Sequence, residues 1–90
     1  MKIGVSHILV AHQYEAEDIL KALASGKIFE DLAHKYSMCS SANQGGDLGL
    51  IESSRLDSQF EEAAILLKVG QVTSKPIRTK FGYHIIKRNL

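Results

Sequence analysis

The sequence of 90 residues contains no tryptophan, one cysteine and one proline. A single cysteine, Cys39, cannot form an internal disulfide, and no pair of cysteines offers a zinc site. No segment approaches the ~18 apolar residues of a membrane span. Met1-Lys2 leads directly into an alternating pattern rather than into the apolar core of a secretory signal. We therefore expect a cytoplasmic protein that binds no metal and does not contact a membrane.

An excess of charge of either sign is also absent. Eleven basic and ten acidic residues leave a formal net charge of +1. The longest basic run is Lys87-Arg88, so nucleic acid is a poor candidate partner. Ninety residues leave no room for a second core. We expect one domain over residues 1–90, and we expect it to be a monomer.

The apolar pattern of the first 36 residues predicts a strand and two helices. Residues 3–10 alternate with apolar side chains on both faces, which is typical of a central strand. Apolar residues then recur at helical spacing over 16–23, and Gly26 can end that helix. A second helical stripe covers 29–36. The short gap between the two stripes predicts a helical hairpin.

The remaining residues predict three more strands, a helix and a polar loop. The elements are a loop with a short helical turn over 37–46, a strand at 48–51, a helix from about 58 to Gly70, and strands near 77–79 and 83–87. Ser58 and Glu61 fit a capping box at the start of the helix, and Asp57 competes as the N-cap. The order β-α-α-α-β-α-β-β, with a short third helix, predicts an α+β domain with an antiparallel sheet clad by helices.

Six short motifs follow one another along the chain. They are His7-Ile-Leu-Val10, Phe29-Glu-Asp-Leu-Ala33, Tyr36-Ser-Met-Cys-Ser-Ser41, Gly45-Gly-Asp-Leu-Gly49, Phe60-Glu-Glu-Ala63 and Phe81-Gly-Tyr-His-Ile-Ile86. In this order, and spanning Ser6 to Arg88, they resemble the parvulin family of peptidyl-prolyl cis/trans isomerases. Each motif alone is weak, but the ordered set is specific. The resemblance implies a four-stranded antiparallel sheet surrounded by four helices, in agreement with the predicted element order.

Two histidines are the first candidates for a site. If His7 and His84 lie side by side on inner strands, their imidazoles can exchange a hydrogen bond. As an alternative, they are core histidines that only set the strand register. The resemblance implies that both belong to a hydrogen-bond network beneath an active cleft. It also places Thr79 beside His84, where its hydroxyl could bond either imidazole. We count all three among the catalytic residues.

Cys39 allows three interpretations. It is a small buried hydrophobe, a nucleophile activated by a histidine, or an electrostatic group. Prolyl isomerisation breaks no covalent bond, and related parvulins carry Asp where this chain has Cys39. A thiol and a carboxylate share polarity but not nucleophilic strength. The resemblance therefore implies a catalytic, electron-rich Cys39 near the carbonyl of the X-Pro bond, and a Cys-His hydrolase with His84 is the alternative.

Three apolar residues, Leu48, Leu56 and Phe60, match the family's pocket for the substrate proline ring. Leu56 and Phe60 lie four apart, so they can face one cleft if a helix begins near residue 57. Plain core packing is the alternative for Leu48 and Phe60. Most relatives have Met where Leu56 stands, and Leu has a similar volume with a stiffer branch. We expect the pocket to survive with an altered fit.

The resemblance implies an enzyme that accelerates rotation about X-Pro bonds without a cofactor or a covalent intermediate. Its partners would be proline-containing peptides and unfolded or partly folded proteins. The alternative function is a parvulin-like chaperone domain with little catalysis. Phosphate-selective parvulins have a longer loop with Arg and Lys after the first strand, but this chain has Glu15, Glu17 and Asp18, so we expect no phosphate selectivity. The segment Glu52-Ser53-Ser54 departs from the family and is expected to form the rim that contacts substrate.

Overall fold

The computed structural model describes residues 1–90 and contains one four-stranded sheet. The elements are β1 Lys2–Val10, α1 Gln13–Ala24, α2 Phe29–Tyr36, β2 Asp47–Glu52, α3 Ser58–Leu66, β3 Ile77–Thr79 and β4 Gly82–Arg88, with two 3₁₀ helices at Ser40–Gln44 and Ser53–Arg55. The strand order is β2-β1-β4-β3, and all neighbours are antiparallel. The predicted α+β fold and its sheet are confirmed.

The prediction of four surrounding helices is met by three α-helices and the 3₁₀ helices. The short helix after Cys39 is a five-residue 3₁₀ helix, and its C-cap Gly45 adopts a left-handed φ of 67°. Ser and Asn in this segment favour local turns over a continued helix. α3 ends at Leu66, four residues before the predicted stop at Gly70. Gly70 instead donates its N–H to the carbonyl of Arg88 in β4 (2.6 Å).

β1 is a central strand, as predicted, because β2 and β4 flank it on either side. Its even-numbered residues Ile8 and Val10 pack beneath α1 and α2, in a core completed by Ala16, Ile19, Phe29, Leu32, Ala33 and Ile85. Its odd-numbered residues Ile3 and Val5 pack beneath α3, with Phe60, Ala64 and Ile86. Side chains alternate between the faces of a strand, so β1 contributes to two separate cores.

α3 begins at an N-cap that the sequence left open between two residues. Asp57, and not Ser58, is the N-cap, and its carboxylate accepts the N–H of Gln59 (3.1 Å). At the other end of α3, the guanidinium of Arg88 donates to the carbonyls of Ala64, Ile65 and Leu67. α3 is therefore fixed at both ends over one face of the sheet. None of the helices is both long and apolar enough to cross a membrane.

Candidate functional site

Two buried imidazoles lie between β1 and β4 on the face covered by α3. His7 pairs across the strands with Ile86, and His84 pairs with Leu9, so the two histidines are diagonal neighbours on one face. Their Nδ1 atoms are 2.9 Å apart and their rings lie within 18° of parallel. They are only 5% and 4% exposed. The expected hydrogen bond between the imidazoles is present.

Thr79 extends this pair into a chain of hydrogen bonds. Its Oγ1 lies 2.7 Å from Nε2 of His84 and also accepts the N–H of Phe81 (3.2 Å). The hydroxyl can use its own proton only by donating to His84. Nδ1–H of His84 then donates to Nδ1 of His7, and His7 keeps its proton on Nε2. Nε2 of His7 is buried without a partner in either arrangement. We assign these tautomers because the reverse arrangement leaves the hydroxyl proton of Thr79 unpaired as well.

Burial keeps both imidazoles neutral at neutral pH. Loss of hydration on burial and, to a lesser extent, the charge of a protonated His84 together lower the pKa of His7 from 6.5 to about 4. Burial also lowers the pKa of His84 to about 4, although the carboxylate of Asp57 opposes that shift. A neutral pair can hold one fixed set of tautomers, whereas a protonated pair would place two donors against each other.

Phe60 covers both histidines from α3. Its ring meets the ring of His84 edge to face, with centroids 5.2 Å apart, and it meets the ring of His7 at 5.5 Å. Leu48 from β2 and the partly buried Leu56 pack against the same core cluster as Phe60. The three residues predicted to form an apolar pocket thus belong to one core cluster, and Phe60 brings that cluster into contact with the imidazole pair.

The backbone of His7 is fixed by a glycine on the neighbouring loop. The carbonyl of Gly46 accepts the N–H of His7 (2.9 Å). Gly46 has a φ of 86°, and a Cβ atom there would lie 2.4 Å from the carbonyl oxygen of His7. Only glycine allows both this backbone angle and this approach. Gly46 therefore shapes the backbone where the loop meets β1.

Cys39 lies in the loop over residues 37–46, whose last residue, Gly46, is hydrogen-bonded to β1 through His7. The segment is also attached one residue before Cys39, where the N–H of Met38 donates to the carbonyl of Leu9 (2.8 Å). Cys39 is the partly buried N-cap of the 3₁₀ helix at Ser40–Gln44. Its Sγ forms no hydrogen bond with either imidazole, so its predicted electrostatic role stays a prediction.

The structure argues against the hydrolase alternative. A catalytic base needs a free ring nitrogen next to the thiol. Both ring nitrogens of His84 are already engaged, one by His7 and the other by Thr79. His84 therefore cannot take a proton from Cys39 without breaking the chain of hydrogen bonds.

Two site-forming residues escaped the sequence interpretation. The hydroxyl of Ser37 accepts the N–H groups of Leu9 (3.0 Å) and Cys39 (3.4 Å), which joins the loop to β1. Asp57 lines a polar cavity beside Thr79. The motif that contains Cys39 includes Ser37, so its position offered a signal. For Asp57, the sequence indicated only a possible helix N-cap and no place in a site.

The expected rim at Glu52-Ser53-Ser54 needs a correction. Ser53 is buried, and its N–H donates to the carbonyl of Met1 (2.8 Å). Ser54 and Arg55, the next two residues of the same 3₁₀ helix, are exposed to solvent. The prediction that Ser53 belongs to the rim was wrong. The 3₁₀ helix that begins at Ser53 turns this side chain inward, and the sequence pattern did not indicate that helix.

No group of three or more His, Cys, Asp or Glu side chains lies close enough together to hold a metal ion. The chain of hydrogen bonds ends on a hydroxyl, not on a carboxylate. The site is therefore an apolar surface over a neutral, ordered polar floor. Such a surface can bind an apolar ring and orient a neighbouring amide without supplying charge.

Comparison with known proteins gives the family. A family model described as "Rotamase: PPIC-type PPIASE domain" matches residues 7–89. The foldase protein PrsA of Bacillus subtilis is 51% identical over 88 residues, which cover 97% of this chain and 30% of PrsA. Its crystal structure superposes with a TM-score of 0.94 at 49% identity, over 99% of this chain and 35% of that one. The chain thus spans about a third of the length of such relatives.

Two further structures resemble the whole domain. NmPin, the parvulin of Nitrosopumilus maritimus, is 48% identical with a TM-score of 0.85, and the match covers 97% of this chain and 94% of NmPin. A SurA-like chaperone of Campylobacter jejuni is 38% identical with a TM-score of 0.92, over 99% of this chain and 38% of the chaperone. This chain belongs to the PPIC-type, or parvulin, family of peptidyl-prolyl isomerase domains.

Proposed function

We propose that this protein accelerates cis/trans rotation about X-Pro bonds in unfolded or partly folded polypeptides. The observation that carries the proposal is the placement of Phe60, which packs edge to face on both buried imidazoles and shares a core cluster with Leu48 and Leu56. In this proposal the three apolar residues hold the proline ring, and the ordered chain from Thr79 to His7 lies beneath the amide.

Catalysis of X-Pro rotation requires only modest stabilisation of the transition state. The barrier to X-Pro rotation is about 18–20 kcal/mol and reflects the loss of amide resonance in the twisted state. The twisted amide is less polar than the planar one, so an apolar pocket favours it. An acceleration of ~10⁴-fold needs only about 5.4 kcal/mol. Desolvation of the amide and fixed dipoles can supply this without a covalent intermediate.

The imidazoles act in this mechanism as neutral positioning groups. With pKa values lowered to about 4, neither donates a proton as an imidazolium at neutral pH. Their fixed tautomers set the polarity of the cleft floor beneath Phe60. In this proposal Cys39, at the start of the 3₁₀ helix Ser40–Gln44, supplies an electron-rich atom for the carbonyl side of the X-Pro bond. We propose this role for Cys39 because the relatives' Asp could serve it equally.

We propose further that phosphorylated substrates are not preferred. Phosphate binding requires several cationic donors. The connection between β1 and α1 consists of two residues, Ala11 and His12, and is too short to present them. Glu15, Glu17 and Asp18 follow at once on α1.

A binding function without fast catalysis is the second candidate, because a SurA-like chaperone shares the fold at 38% identity. A protease-coupled assay with a panel of X-Pro peptides separates the candidates, and the panel should include X = Ala, Glu and phosphoserine. We expect turnover well above background at micromolar protein, with no preference for phosphoserine. A rate equal to background, together with suppression of aggregation of an unfolded protein, would leave only the chaperone.

A further inference from the structure

A polar cavity of about 560 Å³ adjoins the proposed proline pocket. Its lining contains no apolar residue and consists of Asp57, Gln59, Arg78, Thr79 and Lys80. Thr79 is shared with the imidazole chain, since its hydroxyl bonds His84. Asp57 directly follows Leu56 of the apolar cluster. The cavity is therefore a polar space next to the proposed proline pocket, where a side chain that flanks the proline can lie.

Asp57 carries the fixed charge of the cavity. Its backbone is set by the start of α3, and its carboxylate is held by the N–H of Gln59 at 3.1 Å. The residue is partly buried, and no Lys or Arg forms an ion pair with it. A partly buried charge is screened less by water and salt than an exposed one. Its field already reaches the imidazole chain, where it opposes the lowering of the pKa of His84 by burial.

The two cations of the cavity are placed differently. Arg78 pairs across the strands with Tyr83, and its guanidinium lies 5.8 Å from the centre of that ring. Tyr83 packs against the core on the α1 and α2 face, so the guanidinium contacts that ring while Arg78 still lines the cavity. Lys80 is exposed in the turn before β4, with its Nζ 5.2 Å from the centre of the ring of Phe81. Its charge is more mobile and more fully screened.

We propose that this cavity is a specificity subsite, in which Asp57 selects substrates with a basic residue next to the proline. This inference rests on the proposed function and adds a substrate preference to it. An acidic neighbour would meet the fixed carboxylate, and a basic neighbour would form a partly desolvated ion pair with it. Arg78 and Lys80 are both exposed, so their more fully screened charges weaken the preference without reversing it.

The test is a set of proline peptides with Lys, Gln or Glu immediately before or immediately after the proline. We expect the unmodified protein to turn over the Lys peptide about three- to fivefold faster in kcat/KM than the Glu peptide in at least one of the two positions. Asp57→Asn should bring that ratio close to one, and Lys80→Gln should increase it. Asn caps a helix as well as Asp does, so the fold of the variant is preserved.

The matched control is Glu62→Gln, which removes one exposed carboxylate from the same helix outside the cavity. It should leave the Lys-to-Glu ratio as it is, because its charge is solvated. A ratio near one in the unmodified protein, or a ratio that Asp57→Asn does not change, overturns the subsite while the isomerase activity stands. NMR titration with the same peptides gives the ratio of affinities independently of turnover. Absence of turnover, with a Lys preference in binding that Asp57→Asn removes, would overturn the proposed isomerase and retain the subsite.

Discussion

The central strands β1 and β4 contribute side chains to both faces of the sheet, but the two faces differ in composition. Beneath α1 and α2, β1 and β4 contribute Ile8, Val10 and Ile85 to the core, and the buried polar side chain on this face is the small hydroxyl of Ser6. Beneath α3, the same two strands contribute His7 and His84 alongside Ile3, Val5 and Ile86. Burying two imidazoles costs hydration that burying isoleucines would not, as their lowered pKa values show. One face is specialised for stability, and the other gives up stability for an ordered polar floor.

The difference between the faces predicts that equivalent truncations have different consequences. Phe60→Ala should lower kcat/KM at least about tenfold, because it removes the ring over both imidazoles and one wall of the proposed proline pocket. It should also cost about 3–5 kcal/mol of stability. The measurement is turnover per folded molecule, with the folded fraction taken from urea unfolding.

Leu32→Ala, on the opposite face, is the matched control for this truncation. It should cost about 2–5 kcal/mol of stability, while kcat/KM per folded molecule stays within about twofold. Equal losses of activity in the two variants would contradict the assignment of catalysis to one face.

The pH dependence of stability should come from the α3 face of the sheet, where the two histidines lie, and not from the face beneath α1 and α2. The unfolded histidines bind protons near pH 6.5, but the folded ones do so only near pH 4. The unfolded state therefore binds more protons between these values. The free energy of unfolding should fall by about 1.4 kcal/mol per pH unit for each histidine as the pH drops from 6.5 towards 4. Urea unfolding at a series of pH values measures this slope.

His84→Asn should reduce the slope, because one of the two groups is removed. Ile8→Val, on the other face, should lower stability by about 0.5–1.5 kcal/mol at every pH with the slope retained. A slope in His84→Asn as steep as in the unmodified protein would show that other groups cause the acid sensitivity.

A smaller effect is expected at the end of the imidazole chain. Thr79→Val leaves Nε2 of His84 and the N–H of Phe81 without their partner, which should cost about 1–3 kcal/mol. It should also allow His84 to sample both tautomers, which imidazole ¹⁵N chemical shifts would detect. Thr79→Ser keeps the hydroxyl and should keep the single tautomer. A single tautomer in Thr79→Val would contradict the assignment of the hydroxyl as the donor.

The smallest effect is expected at Cys39. Cys39→Asp should retain activity within about fivefold, because an electrostatic role needs an electron-rich atom and not a nucleophile. Turnover of X-Pro peptides measures this directly. Loss of more than about a hundredfold, with stoichiometric labelling of the native thiol by an electrophile, would instead support covalent chemistry.

The fold was predictable where one element carried its own signal. The double-sided alternation of β1 identified a central strand, and the strand lies between β2 and β4. The ends of α3, the helix that contains Phe60, were predicted less well. Asp57 and Ser58 are both good N-caps, and the predicted end at Gly70 was four residues too late. Arg88, far along the chain, holds the carbonyls at the true end of α3. No local pattern contains that contact.

The candidate site was predictable only as a set of residue types. The motifs identified the two histidines, and the family resemblance added Thr79 but left open which imidazole its hydroxyl binds. The structure assigns it to His84. The buried position of Ser53 and the polar cavity beside Asp57 were also missed. Each depends on a neighbour from another element, and sequence spacing cannot report such a neighbour.

The amino-acid sequence by itself determined the strand that contributes to two cores and the family to which the chain belongs. Each follows from local backbone preference or from the order of the motifs. Tertiary structure alone decided the tautomers, the lowered pKa values and the position of Asp57 beside the cleft. The physical reason is distance along the chain: the two Nδ1 atoms that meet at 2.9 Å belong to residues 77 positions apart. Their burial and hydrogen bonding exist only when β1, β4 and α3 pack together.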